Sequence, residues 1–146
     1  MQKEHTAVFI GHRELFGVDA AAVETEIKKL LASGVTHFLN GGMGRFDWLC
    51  AQTVFSLKKT DKRIQNILVI PYLSFHIEER EYFDAILYPE GFERYHFKEA
   101  IIKRNEYLVH HAAYAICYVT HSWGGAAQTL RKARQRGVPI INLIRK

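Results

Sequence analysis

The sequence has little cysteine, little proline and no long apolar run. Its 146 residues include two cysteines and three prolines. Cys50 and Cys117 lie far apart, in a predicted helix and a predicted strand, so we expect buried free thiols rather than a disulfide or a paired-cysteine metal site. No apolar run approaches the roughly 18–20 residues of a membrane span, and residues 1–5 have no apolar signal core. The sequence therefore predicts a cytoplasmic protein without a membrane partner.

Several familiar site signatures are also missing. No G-x-G-x-x-G opens the first predicted helix, there is no Walker loop, and the second strand ends in NGG instead of an acid placed for a ribose. The adjacent His110 and His111 diverge around a helix, which argues against a zinc site. Ser122 lacks the residues of a nucleophile elbow, which argues against a serine hydrolase. We therefore expect no metal, and no catalytic residue is assigned.

The net charge of +5 would suit a nucleic-acid partner. Much of the charge, however, falls toward the C-terminal ends of predicted helices, at 28–29, 58–59 and 131–136. Cations there offset the helix dipole by about 0.3–1 kcal/mol each, and those helix ends face away from the ligand crevice of an α/β sheet. We prefer solvated helix ends as the explanation and keep a nucleic-acid surface as the alternative.

What the sequence does contain is an alternation of apolar runs and amphipathic segments. The apolar runs are 6–10, 36–39, 66–70, 114–119 and 139–143. Short, nearly all-apolar strands separated by helices predict a parallel sheet covered on both faces. The prediction is a three-layer, doubly wound, Rossmann-like α/β fold with a five-stranded, mainly parallel sheet of order 3-2-1-4-5 and helices on both faces. Residues 1–146 form a single domain in this interpretation.

The helices have identifiable start signals. Asp19 can cap the first helix and Asp47 the second. Between the third and fourth strands the chain is longer than one crossover requires, so we predict an extra helical segment at about 72–96, with a short helix at 77–87, followed by a longer helix at 97–111. Exposed apolar residues at 88–97 indicate either a homodimer interface or a lid.

Two glycine turns, GGMGRFD at 41–47 and SWGGAAQT at 122–129, each follow a predicted strand and open a predicted helix. At such a junction the first backbone N–H groups of the helix lack intrahelical partners, and glycine lets an anion approach the chain. A third loop, GHR at 11–13, follows the first strand. Because the carboxyl ends of parallel strands meet at one edge, the three loops predict one crevice for a phosphate-bearing small molecule.

Side chains in these loops have candidate roles. Arg13 can present a fork of donors to a phosphate or pair with Glu14. His12 can bond a ligand, act as acid or base, or only pack. Asp47 caps its helix or orients a ribose hydroxyl, and Trp123 covers a base or fills the turn.

Together with KRN at 103–105, these motifs resemble the SLOG superfamily, and most closely its small single-domain YoqJ/YspA-like branch. The resemblance covers nearly the whole chain, and SWGGAAQT followed by ARQRGVPIINL is its most specific part. The superfamily includes DprA, which binds single-stranded DNA, the LOG phosphoribohydrolases, which cleave nucleoside monophosphates, and proteins proposed to sense nucleotide-derived ligands. The resemblance implies a Rossmann-like fold.

LOG enzymes carry PGGxGTxxE in the final turn, and its Glu is catalytic. Gly124 and Gly125 match this motif, but Ala127, Gln128 and Arg131 occupy the Gly, Thr and Glu positions. The resemblance therefore implies loss of the catalytic carboxylate, and we lean against an enzyme. Hydrolysis would need another acid, and the candidates are Asp47, Glu78, Glu79 and Glu81.

Arg104 matches the LOG helix arginine and lies on an apolar helical stripe, so it needs a ligand or an acid such as Glu78 or Glu79. We predict a nucleotide-phosphate sensor or regulatory domain with no certain cofactor. A LOG-like N-glycosidase and a DprA-like single-stranded DNA-binding protein are the alternatives. The candidate ligand-binding residues are Gly11, His12, Arg13, Gly41, Gly42, Gly44, Arg45, Asp47, Arg104, Asn105, Thr120, Ser122, Trp123, Gly124, Gly125, Gln128 and Thr129.

Overall fold

A parallel β-sheet forms the centre of the molecule. The computed structural model describes residues 1–14 and 17–144. Within these residues six strands pair in the order β4-β3-β2-β1-β5-β6, and every pairing is parallel. The strands are β1 (Thr6–Gly11), β2 (His37–Asn40), β3 (Gln65–Val69), β4 (Ala85–Leu87), β5 (Tyr114–Tyr118) and β6 (Ile140–Asn142).

The five predicted strands occur in the predicted order, but the sheet has a sixth strand. The helix predicted at 77–87 is wrong, because Arg80–Tyr82 forms a single 3-10 turn and β4 follows it. Asp84 joins this segment to β3: its N–H donates to the Asn66 carbonyl at 2.8 Å and its Oδ2 accepts from the Asn66 N–H at 2.7 Å. Pairing with the open edge of β3 therefore overrides the local helical pattern.

Four α-helices cover the two faces of the sheet, as predicted. They are α1 (Ala20–Ala32), α2 (Arg45–Lys58), α3 (Phe97–His110) and α4 (Gly124–Gln135). The segment 72–96 contains no α-helix, only β4 and the 3-10 turns Arg80–Tyr82 and Phe92–Arg94. Among the described residues, no helix combines the length and apolar character needed to cross a membrane.

The core is divided between the two faces because successive strand residues point to opposite sides. In β1, Ala7 and Phe9 pack in the cluster with α1 and α2, whereas Val8 and Ile10 pack in the cluster with α3 and α4. Burial on both faces explains why the strands are apolar without alternation. The cysteines are free and buried, as predicted, Cys50 in the first cluster and Cys117 in the second.

Asp19 caps α1 as the sequence predicts. Its Oδ1 accepts a hydrogen bond of 2.8 Å from the Ala22 N–H. A cap of this kind satisfies one of the helix N–H groups that have no intrahelical partner.

Candidate ligand-binding site

A cleft of about 640 Å³ lies at the carboxyl ends of β1, β2 and β5. The order of the sheet reverses between β1 and β5, because β2 follows β1 on one side and β5 lies on the other. Chain segments leave this point toward opposite faces, which is why doubly wound sheets open a crevice there. One wall comes from α3, through Ile101, Asn105 and Leu108, and the N-terminus of α4 faces the same space.

The cleft brings together most of the candidate residues, although their role in binding stays a prediction. The candidate residues that line it are Gly11, His12, Arg13, Gly41, Asp47, Arg104, Asn105, Thr120, Trp123, Gly124, Gly125 and Thr129. Gly42, Gly44 and Arg45 instead line an adjacent cleft, and Ser122 and Gln128 line neither. Met43, Tyr118 and His121 also line the cleft but were not among the candidates predicted from the sequence. Tyr118 and His121 could have been predicted, because they lie near the end of the predicted strand 114–119, at the edge where the cleft was expected.

The N-terminus of α4 is open toward the cleft. Trp123 is the N-cap residue, and its side chain makes no capping hydrogen bond. Gly124 has φ of +89°, a left-handed conformation that favours glycine. A Cβ on Gly125 would meet nothing within 4 Å, so its α-carbon faces free space. The anion-binding role of this turn stays a prediction, with which this open geometry is consistent.

The turn at 41–44 is different, because two of its N–H groups already donate hydrogen bonds within the loop. The Gly42 N–H donates to Asn40 Oδ1 at 2.7 Å, and the Met43 N–H donates to Asp47 Oδ2 at 3.0 Å. Helix α2 begins at Arg45, so Asp47 acts from within its first turn rather than from the N-cap position. The predicted nest of free N–H groups at this turn is wrong for these two amides, since internal hydrogen bonds stabilise the loop.

Glycines at the end of β1 and in the turn after β2 let neighbouring chain segments approach closely. A Cβ on Gly11 would lie 2.1 Å from Cδ2 of Phe46, and a Cβ on Gly44 would lie 2.6 Å from the α-carbon of Arg13. The Arg45 N–H also donates to the Arg13 carbonyl at 3.0 Å. The loop after β1 and the turn after β2 therefore pack as one unit, which positions Arg13 between the two clefts.

Arg104 is buried in the wall of the cleft, with 1% of its surface exposed. Its Nη1 donates to the Gly41 carbonyl at 2.7 Å and to the Val69 carbonyl at 3.0 Å, and its Nε donates to Asn105 Oδ1 at 2.9 Å. The Gly41 carbonyl lies just after the end of β2, and the Val69 carbonyl belongs to the last residue of β3. Arg104 thus fastens α3 to two strand ends, and we describe it as a positioning residue.

The acid that acts electrostatically on Arg104 is Asp47. Burial lowers the pKa of Arg104 to about 10, while Asp47 acts in the opposite direction. Burial raises the pKa of Asp47 to about 6, against the opposing effects of the Met43 N–H and Arg104. Glu78 and Glu79, the acid partners considered from the sequence, line the adjacent cleft instead.

Three rings form a stack at the mouth of the cleft. His12 and His121 stack with ring centroids 3.8 Å apart, and His121 stacks on Trp123 at the same separation. The Thr120 N–H donates to His12 Nε2 at 2.8 Å, so neutral His12 carries its proton on Nδ1. Burial and His121 lower the pKa of His12, which favours this neutral form. Trp123 remains 69% exposed, so it does not merely fill the turn.

Arg131, which the sequence resemblance aligns with the catalytic glutamate of the LOG enzymes, makes a structural contact. Arg131 Nη1 donates to the Ser122 carbonyl at 2.9 Å. The carboxylates that line the cleft are Glu14 and Asp47. Within residues 1–14 and 17–144, no three His, Cys, Asp or Glu side chains are grouped so that they could hold a metal ion.

The chain is similar to known proteins in its structure, whereas the sequence comparisons found no match. No protein-family model matches the sequence, and no curated protein sequence matches it. DNA processing protein A from Helicobacter pylori, which binds single-stranded DNA, superposes with a TM-score of 0.69 at 17% identity, over 99% of this chain and 67% of that protein. DNA processing protein A (DprA) from Streptococcus pneumoniae gives 0.70 at 17% identity, over 94% of this chain and 50% of that protein.

This chain spans about half to two thirds of the length of these two proteins. At such low identity, the likeness concerns the fold. The chain therefore has a Rossmann-like α/β fold similar to that of DNA processing protein A.

Proposed function

We propose that the chain binds a nucleotide or nucleotide-derived phosphate ligand in the 640 Å³ cleft, as a sensor or regulatory domain. The observation that carries this proposal is the N-terminus of α4, where the side chain of Trp123 makes no capping hydrogen bond and Gly125 faces free space. The first N–H groups of a helix have no intrahelical partner, and these groups and the helix dipole both favour an anion there.

The rest of the cleft supports a nucleotide rather than a simple anion. Exposed Arg13 supplies a guanidinium that can bind a phosphate in bidentate fashion. Trp123 and the histidine rings behind it offer a stacked surface for a base, while Tyr118 and Leu108 provide apolar lining. We favour binding without turnover because Arg131 stands where the LOG enzymes have their carboxylate. Release of free base from nucleoside monophosphates would instead support the LOG-like alternative.

Filling the space at Gly125 is expected to weaken nucleotide binding. A valine side chain there meets no protein atom at its Cβ, so Gly125→Val should fold normally and project into the volume assigned to phosphate. We expect at least a tenfold weaker affinity for AMP or ADP-ribose in calorimetric titration, a change of about 1.4 kcal/mol or more.

The matched control is Gln135→Val, at an exposed position of the same helix that lies outside the cleft and is not a candidate binding residue. It should bind as the unmodified protein does. Equal affinity of Gly125→Val and the unmodified protein would contradict a phosphate at this helix, and no binding of any phosphate ligand would defeat the proposed function.

A second candidate function is single-stranded DNA binding. It is favoured by the structural likeness to the H. pylori protein, which binds single-stranded DNA, together with the net charge of +5 and the exposed Trp123. Exposed aromatic rings stack on bases without sequence preference.

A salt series tests this candidate. If the chain binds a strand, the logarithm of the affinity for oligothymidylate should fall linearly with the logarithm of salt concentration, with a slope of about −0.7 per phosphate contacted. Trp123→Ala should weaken binding by about 1–3 kcal/mol per stacked base. An affinity that is independent of both salt and Trp123 would contradict strand binding.

Two further assignments remain proposals. We propose that the chain belongs to the YoqJ/YspA-like branch, on the motifs described above. A homodimer through residues 88–97 has partial support, since Phe97 is 64% exposed whereas Phe92 is buried.

A further inference from the structure

A second cleft, of about 750 Å³, lies on the other side of the turn at 41–44. It is bounded by the start of α2 and by the segment between β3 and the 3-10 turn Arg80–Tyr82. Arg13 and Met43 line both clefts. The two cavities are therefore adjacent, with a cation at the boundary between them.

Aromatic rings dominate one side of this second cleft. Trp48, Tyr72, Phe75 and Tyr82 line it, and each is partly exposed rather than buried in the core. Tyr72 meets Phe75 edge to face with centroids 5.8 Å apart. Partly exposed rings that line a cavity provide faces on which a flat aromatic ligand can stack.

Charges in the second cleft are separated by sign. Arg13 and Arg45 lie at its boundary with the turn, whereas Glu78 and Glu79 lie on the segment after β3. Cations suit the phosphate of a nucleotide, and carboxylates accept hydrogen bonds from the exocyclic amino group of a base. The arrangement matches a ligand with a phosphate at one end and an amino-substituted ring at the other.

We propose that the second cleft binds the base of a second nucleotide unit, so that the full ligand has two nucleotide units whose connecting phosphate passes Arg13. The inference rests on the proposed function, because it assigns the first unit to the first cleft. The two units come either from a free dinucleotide or from adjacent positions of a single strand.

The test compares AMP with the dinucleotide pApA by calorimetric titration. The unmodified protein should bind pApA at least about fivefold more tightly, as expected for one additional stacked base. Two variants should remove this difference while leaving AMP affinity unchanged. Gln52→Trp fills the second cleft from an exposed position on α2, and Trp48→Leu removes a stacking ring.

Ser56→Trp is the matched control for Gln52→Trp, because Ser56 is exposed one turn further along α2 and does not line the cleft. It should keep the preference for pApA. Equal affinity for AMP and pApA would overturn the second subsite and leave the proposed function standing, whereas no binding of either ligand would overturn both. Persistence of the preference in both cleft variants would also overturn the second subsite.

A longer oligoadenylate distinguishes the two sources of the ligand. If it binds at least as tightly as pApA, the clefts accept a segment of a strand. Weaker binding indicates a free dinucleotide. This comparison identifies only the source of the ligand, and the second subsite itself is supported or overturned by the comparison of AMP with pApA in the cleft variants.

Discussion

Replacing Arg104 with methionine is expected to lower the free energy of unfolding by about 3–5 kcal/mol. Methionine preserves the length of the side chain but leaves the Gly41 and Val69 carbonyls without their donor. It also removes the positive charge that acts on buried Asp47. Removing one partner from a set of buried hydrogen-bonded groups costs far more stability than removing a contact at the surface. Urea unfolding at neutral pH measures the change.

The matched control is Arg134→Met, which makes the same replacement at an exposed position of α4. We expect a change within about 0.5 kcal/mol. A double-mutant cycle with Asp47→Asn then isolates the coupling between the two charges. If Arg104→Met destabilises no more than Arg134→Met, Arg104 does not fasten α3 to the strand ends.

Stability should also depend on the protonation of Asp47. Its pKa is about 6 in the folded protein and 3.8 without the fold, so the folded state binds the proton more tightly. The contribution of this group to stability is therefore fully present below pH 3.8 and declines as the pH rises to about 6. At about 1.4 kcal/mol per pKa unit, the decline amounts to about 3 kcal/mol.

The comparison variant is Asp47→Asn, which keeps an oxygen to accept from the Met43 N–H but does not titrate. Unfolding curves for both proteins across this pH range should show the decline only in the unmodified chain. Parallel pH profiles would mean that Asp47 ionises with an ordinary pKa.

Much of the fold could be predicted from the sequence. Strands that are covered on both faces are apolar throughout, so their local composition already indicates their buried environment. The apolar runs that became β1, β2, β3, β5 and β6 illustrate this agreement. The segment 77–87 shows its limit. Its helical spacing is a local property, whereas the open edge of β3 and the two hydrogen bonds of Asp84 with Asn66 arise only once the sheet has formed.

The position of the cleft could be predicted from the sequence, but the contacts of each residue that lines it could not. Gly124 and Gly125 face the cleft, as their sequence suggests. The role of Arg104 depends on where α3 meets the carbonyls of Gly41 and Val69, residues 63 and 35 positions away along the chain. No local pattern contains that information. The stacking of His121 between two rings is likewise a product of loops brought together by the sheet.

The close packing of Gly11 on Phe46, and of Gly44 on Arg13, has a consequence for how ligand preference can change. Substitutions at these contacting positions should be non-additive, since a larger residue at position 11 requires a smaller one at position 46. Evolution or engineering would therefore have to alter the end of β1 and the start of α2 in concert, and libraries that randomise position 11 or position 44 alone should lose most variants with side chains larger than glycine at that position.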